Sequence, residues 1–220
     1  MADKKPVGAI LIELDHVAVD GYNLRFEALK AALKPHKIAL DNAMYRRADR
    51  GRGVQATVSR LLRGEADTVR VDDVVDAGGK ALQEALANGV KLRDVLDSIL
   101  KSAKKHDWPV GALSGFTKPV SALVASAASI PVDRLQLIRE AGVGVPTNDD
   151  WTDALKKVGA QSGHAVVVCG SSTGARAAVA AGLRCVAVPT PELAVGDFCG
   201  VDRVVEGKSD IGKEIESLLQ

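Results

Sequence analysis

The sequence predicts an α/β protein: a parallel sheet covered by helices on both faces, with a small all-helical insert after the first strand. Three observations carry this. Apolar, β-branched runs recur at 7–12 (VGAILI), Val110–Ser114, Ala165–Cys169 and Cys185–Val188, continuous rather than alternating, as in strands buried on both faces. Stretches of helical spacing separate them, and alternation of that kind builds parallel sheets. From about residue 21 to residue 89 only helical spacing remains.

The first strand carries Glu13-Leu14-Asp15 at its C-terminal end. After Asp20-Gly21, Asn23 is placed to cap a helix with Leu24, Ala28, Leu29, Ala32 and Leu33, closed by Pro35. Val54, Val58, Leu61 and Leu62 mark one further helix, and Val74, Val75, Ala81, Leu82, Ala85 and Leu86 another. The insert is basic at Arg46-Arg47 and Arg50-Gly51-Arg52-Gly53, read either as a solvated face or as an anion-facing loop. Beyond Gly89 come a helix over 92–105, the strand Val110–Ser114, a helix over 118–128 and a weaker strand over 135–138. A helix over 149–158, the strand Ala165–Cys169, a helix over 174–181 and the strand Cys185–Val188 follow. Val204-Val205 and a last amphipathic helix over 211–219 finish the pattern. The expected organisation is a core of residues 1–20 and 90–220 with a helical cap of residues 21–89. Ligands of such sheets bind beyond the C-terminal strand ends. The residues of interest are therefore Glu13, Asp15, Ser114, the Gly144–Asp149 loop and Cys169–Gly174.

Composition narrows the partners. Across 220 residues, 29 Lys+Arg against 28 Asp+Glu leave a formal charge of +1, with no long basic block. That balance argues against nucleic acid or an anionic membrane as the main partner. Hydrophobic residues at 46% are enough for a core, and aromatics at 3% leave it to Ala, Val, Leu and Ile and make base-stacking platforms unexpected. Cys169, Cys185 and Cys199 form no CxxC pair and read as reduced thiols. Glu13 and Asp15 interrupt the N-terminal apolar run, so it suits neither a signal peptide nor a membrane span. A cytoplasmic protein is the expectation.

The order of elements and the strand-end residues resemble the haloacid dehalogenase-like (HAD) superfamily, in its phosphoglucomutase/phosphatase branch with a helical cap on a Rossmann-like core. Three blocks carry the resemblance. Ile10 to Asp20 (ILIELDHVAVD) matches an opening hhhDxDGhhhD motif, where h is apolar. Gly111-Ala112-Leu113-Ser114-Gly115 matches a strand ending in Ser or Thr. Ser171 to Leu183 (SSTGARAAVAAGL) looks like the closing DSxxGhxAAxxAGh stretch.

The departures bear on chemistry. The resemblance implies an aspartate nucleophile at position 13, where this chain has Glu13, and a general acid/base at Asp15. It implies a phosphate-neutralising lysine where Val145 opens Val145-Pro146-Thr147-Asn148-Asp149, and a magnesium-site acidic pair where Cys169-Gly170 stand. The glycine after the second aspartate has become His16. Glutamate adds about 1.5 Å of reach, and a misplacement of about 1 Å costs on the order of a hundredfold. Losing a magnesium ligand and a phosphoryl clamp compounds this. Glu13 reads as a vestigial carboxylate or a shifted nucleophile; His16 reads as a local hydrogen-bond partner or a new base. Ser114, Ser171, Ser172, Thr173 and Gly174 remain candidates for holding an anion through hydroxyls and backbone N–H groups, against simple helix capping. Arg176, His36, His106 and His164 read as surface or capping residues.

The expected function is that of an inactive HAD-like protein with a binding or regulatory role toward a small phosphorylated molecule or a protein partner, and no cofactor. The alternative is a magnesium-dependent phosphohydrolase or phosphomutase with Glu13 as nucleophile, Asp15 as acid/base, and Mg2+ held by Glu13 and Asp15. A purely structural partner subunit is a third possibility.

Overall fold

The structure is a computed structural model and describes residues 8–63, 69–194, 196–206 and 210–219. Six strands form one parallel sheet: β1 (Ala9–Glu13), β2 (Val110–Ser114), β3 (Leu135–Leu137), β4 (Ala165–Cys169), β5 (Arg184–Ala187) and β6 (Arg203–Val204). Their order is β3-β2-β1-β4-β5-β6. Ile12 pairs with Ala112 on one side and Val168 on the other, so the ends of β1, β2 and β4 meet at one edge. The chain turns to opposite sides of β1 there, the position where ligands bind in open parallel sheets.

The continuous apolar strands are explained by two cores. Ile10, Ile12, Val166 and Val168 face one layer of helices, and Ala9, Leu11, Val167 and Cys169 face the other. All eight are fully buried. The first layer holds α6 (Asp94–Lys105), α7 (Lys118–Ala127) and α10 (Ile211–Leu219); the second holds α8 (Asn148–Lys157) and α9 (Ser172–Ala180). Trp151 fills the second core, and its Nε1 donates to the Gly174 carbonyl at 3.0 Å, tying α8 to the first turn of α9.

Among the described residues, the elements between β1 and β2 are helices. The one-turn α1 (Leu14–Val17) leads into α2 (Gly21–Leu33), α3 (Asn42–Asp49), α4 (Val54–Leu61) and α5 (Val71–Ala87). Tyr22, Phe26, Leu29, Leu33, Tyr45, Val58 and Val74 form a separate apolar cluster among them. Three of the seven are aromatic, and Tyr45 packs against both Tyr22 and Phe26. The cap of α2 differs from the sequence expectation. Asp20 is the N-cap and accepts from the Asn23 backbone N–H at 3.2 Å, because a side-chain acceptor must precede the free N–H groups it serves. The first strand begins at Ala9 and extends to Glu13, one residue past the expected end; Val7 lies outside the described residues. No helix among the described residues is long and apolar enough to cross a membrane.

Candidate functional site

A cavity of about 510 Å³ opens over the C-terminal ends of β1, β2 and β4, roofed by α2, α3 and the loop after α3. Its wall includes Glu13, Asp15, His16, Gly115, Ser171, Ser172 and Thr173 from the sheet side, and Arg25, Tyr45, Arg46, Arg47, Arg50 and Arg52 from the helical side. The roof sits directly on the core. A Cβ at Gly53 would lie 1.8 Å from the Val143 carbonyl oxygen, so only glycine permits this approach.

Glu13 ends β1 with its carboxylate turned toward the loop between β4 and α9. Oε2 accepts from the Gly170 N–H at 2.9 Å and the Ser171 N–H at 2.8 Å, and Oε1 accepts from Ser171 Oγ at 2.5 Å. A Cβ at Gly174 would lie 2.6 Å from Oε1, so the first turn of α9 is shaped around this carboxylate. The extra methylene explains the reach: Glu13 bridges from its strand to donors at the next element. Burial raises its pKa from 4.5 to about 7, with Asp15 adding to the effect and the bonds from Ser171 and Gly170 opposing it.

That shift has a measurable sign. Protonation at Glu13 favours the folded state, so its contribution is full below about pH 4.5 and declines as pH rises toward 7, by about 3 kcal/mol from this group. Glu13→Gln keeps an acceptor for the two N–H groups and carries no such slope. The difference in urea-unfolding free energy between wild type and Glu13→Gln is expected to change across that window; a flat difference means that Glu13 stays ionised in the fold.

Asp15 is held just as closely. Oδ1 accepts from Ser114 Oγ at 2.5 Å, and Oδ2 accepts from the Gly115 N–H at 3.1 Å and from Arg25 Nη2 at 2.5 Å. Ser114 is in turn bonded by Ser121 Oγ at 2.8 Å and the Phe116 N–H at 3.2 Å. Burial raises the Asp15 pKa, while Arg25, Ser114 and Gly115 pull it down. Arg25 projects from α2, 10 residues on from Asp15, over the Phe116 ring at 4.7 Å. Its Nη1 also approaches His16 Nε2 at 3.3 Å. Burial, Arg25 and Arg93 together hold the His16 pKa well below its ordinary value, so His16 is neutral. Its partner is the Arg25 guanidinium rather than the neighbouring acid.

Sequence reasoning missed Arg25. Its signal was a charge on an apolar helix face, since Arg25, Ala28, Leu29 and Ala32 share one side of α2. Arg176 is exposed, as the surface expectation has it, and also borders the cavity. Arg46, Arg47, Arg50 and Arg52 line the cavity too. Asp49, Glu192 and Asp197 complete its charged wall. Val145, where the resemblance implies a lysine, presents an apolar patch to the same space. Ser114 and Ser171 are engaged with Asp15 and Glu13; Ser172 and Thr173 line the cavity, and the Gly174 N–H is given to Ser171 Oγ.

The magnesium implied by the resemblance does not fit this donor set. Glu13 Oε2 already accepts two N–H bonds, and Asp15 Oδ2 accepts from Gly115 and from the Arg25 guanidinium, so the most strongly engaged oxygen of each carboxylate is turned to protein donors. Gly170 offers no side-chain ligand, and a Cβ there would lie 2.5 Å from the His16 Cβ and 2.7 Å from its carbonyl oxygen. Among the described residues no group of three His, Cys, Asp or Glu side chains is arranged to hold a metal ion.

No family model matches the sequence, and no curated protein matches it. Solved structures do. CbbY from Rhodobacter sphaeroides in complex with phosphate is 21% identical, with a TM-score of 0.77 over 90% of this chain and 93% of that one. A HAD hydrolase, family IA, variant 3, from Entamoeba histolytica is 15% identical, with a TM-score of 0.79 over 96% and 99%. A beta-phosphoglucomutase from Clostridium difficile is 16% identical, with a TM-score of 0.70 over 97% and 100%. The fold of this chain is therefore the HAD-like, Rossmann-type α/β fold of these hydrolases and phosphoglucomutases.

Proposed function

We propose that this HAD-fold chain holds a small phosphorylated molecule between its strand ends and its helical cap without cleaving it. The observation that carries the reading is the engagement of both strand-end carboxylates. Glu13 is bonded to Gly170 and Ser171, and Asp15 to Ser114, Gly115 and Arg25. A nucleophilic carboxylate needs an oxygen about 3–3.5 Å from phosphorus and in line with the leaving group; the bonds from Gly170 and Ser171 instead hold the Glu13 carboxylate against the loop between β4 and α9. The ligand class is suggested by the arginines on the cavity wall, which suit phosphate oxygens through paired N–H donors. One solved relative of the fold points the same way, CbbY having been captured with phosphate and, as a mutant, with xylulose-(1,5)bisphosphate.

Titration calorimetry with inorganic phosphate and with a sugar phosphate is expected to give saturable binding. A magnesium-containing assay with p-nitrophenyl phosphate is expected to show no release above the buffer rate. Turnover that disappears in Glu13→Gln overturns this reading in favour of a phosphohydrolase with Glu13 as nucleophile. Binding without turnover supports it.

A further inference from the structure

We propose a second anion subsite outside the cavity, at Arg60 and Arg63 on and just after α4, so that the chain takes a ligand with several phosphates in a row: one in the cavity, the others laid across this face of the cap. The first phosphate rests on the anion-binding reading above; the others rest on separate observations. Residues 38–79 contain seven arginines and no lysine. Arginine meets phosphate oxygens with paired, planar N–H donors, where lysine offers a point charge. Arg46, Arg47, Arg50, Arg52, Arg60 and Arg63 are all exposed. Among the described residues none of the six forms an ion pair with an acid. Asp49, the acid within α3, is engaged by the Thr57 hydroxyl at 3.4 Å and by the Gly51 N–H. Arg52, Arg63 and Arg50 push the Arg60 pKa below its ordinary value, so four guanidiniums lie within electrostatic reach of one another.

The face is continuous with the cavity but extends beyond it. Arg46, Arg47, Arg50 and Arg52 line the cavity, whereas Arg60 and Arg63 do not. The arginine loop is pressed onto the core, since a Cβ at Gly51 would lie 2.9 Å from Thr173 Cγ2. It therefore starts directly above the turn whose Ser172 and Thr173 border the same space. Val54 borders the cavity at the start of α4, and the backbone of Arg60 stands about 9 Å further along that helix. A single phosphate is too small to meet the whole path; a chain of three or more is not. Tyr22, Phe26 and Tyr45 are buried in the cap, so these rings offer no platform for a base, and the phosphates themselves carry the recognition.

Calorimetric titrations in EDTA test this. Tripolyphosphate is expected to bind the wild type about tenfold or more tighter than orthophosphate; equal affinities overturn the proposal. The variant Arg60→Gln/Arg63→Gln alters two exposed side chains and relieves their repulsion, so its melting temperature is expected to match or exceed that of the wild type. It is expected to bind tripolyphosphate about fivefold or more weakly, the scale of two exposed ion pairs, and to keep the orthophosphate Kd. Unchanged tripolyphosphate affinity in that variant overturns the part assigned to Arg60 and Arg63. A hexaglutamate peptide or a short single-stranded oligonucleotide that binds the wild type as tightly as tripolyphosphate overturns the ligand class. The two readings fail separately. Orthophosphate binding with no gain from tripolyphosphate removes the second subsite alone. Tripolyphosphate binding that is lost in the variant, with no orthophosphate binding, removes the cavity reading and leaves the arginine face.

Discussion

Arg25→Met alone is expected to cost the fold about 3–5 kcal/mol, the range for removing one partner of a buried ion pair. The reason is what stays behind. Asp15 is 3% exposed, and without Arg25 its Oδ2 keeps only the Gly115 N–H at 3.1 Å. His16 Nε2 loses its donor as well. Asp15→Asn in the same chain removes the stranded charge and is expected to recover most of the loss, since replacing both members of a buried pair is often close to neutral. Urea denaturation of the four species in a double-mutant cycle measures the coupling. Additive losses would mean that the pair contributes no more than a solvent-exposed one.

Gly170→Asp is the second large effect. It places an acid where the resemblance implies a magnesium ligand, and the structure opposes it twice. The new Cβ would meet the His16 Cβ at 2.5 Å and the His16 carbonyl oxygen at 2.7 Å, and the new carboxylate would be buried among acids already close together. Overpacking of this kind costs about 1–3 kcal/mol, and the buried charge adds to it. His16→Gly removes the Cβ contact and frees the backbone to shift, so the double variant is expected to be more stable than Gly170→Asp alone. Thermal unfolding of both variants checks the order. The same pairing explains why position 16 is not the glycine that the resemblance implies: the volume that an acid at 170 would need is taken by the His16 side chain and backbone.

Much of the architecture was legible in one dimension. The strands Val110–Ser114 and Ala165–Cys169 and the helix Ile211–Leu219 lie where the apolar runs place them. Burial on both faces leaves a continuous apolar signature that needs no partner to be recognised. The replacements at Glu13, Val145 and Gly170 were equally visible, because they sit at strand or loop ends within recognisable blocks. Less local features were not. The cap of α2 passed from Asn23 to Asp20 because helix N–H groups, rather than periodicity, decide which acceptor serves.

The sequence by itself determined the sheet, its helical insert and the residue types at positions 13, 145 and 170, since each is written in residue type and spacing along one segment. Only the tertiary structure decided where the remaining charges go. It turned Glu13 onto the Gly170 and Ser171 N–H groups, brought Arg25 from α2 onto Asp15, and gathered Arg46, Arg47, Arg50, Arg52 and Arg176 around one cavity. The physical reason is that a charge finds its partner through the packing of one element against another. Periodicity shows which face of a helix is buried, but the opposing residue is fixed only when the helices settle over the sheet.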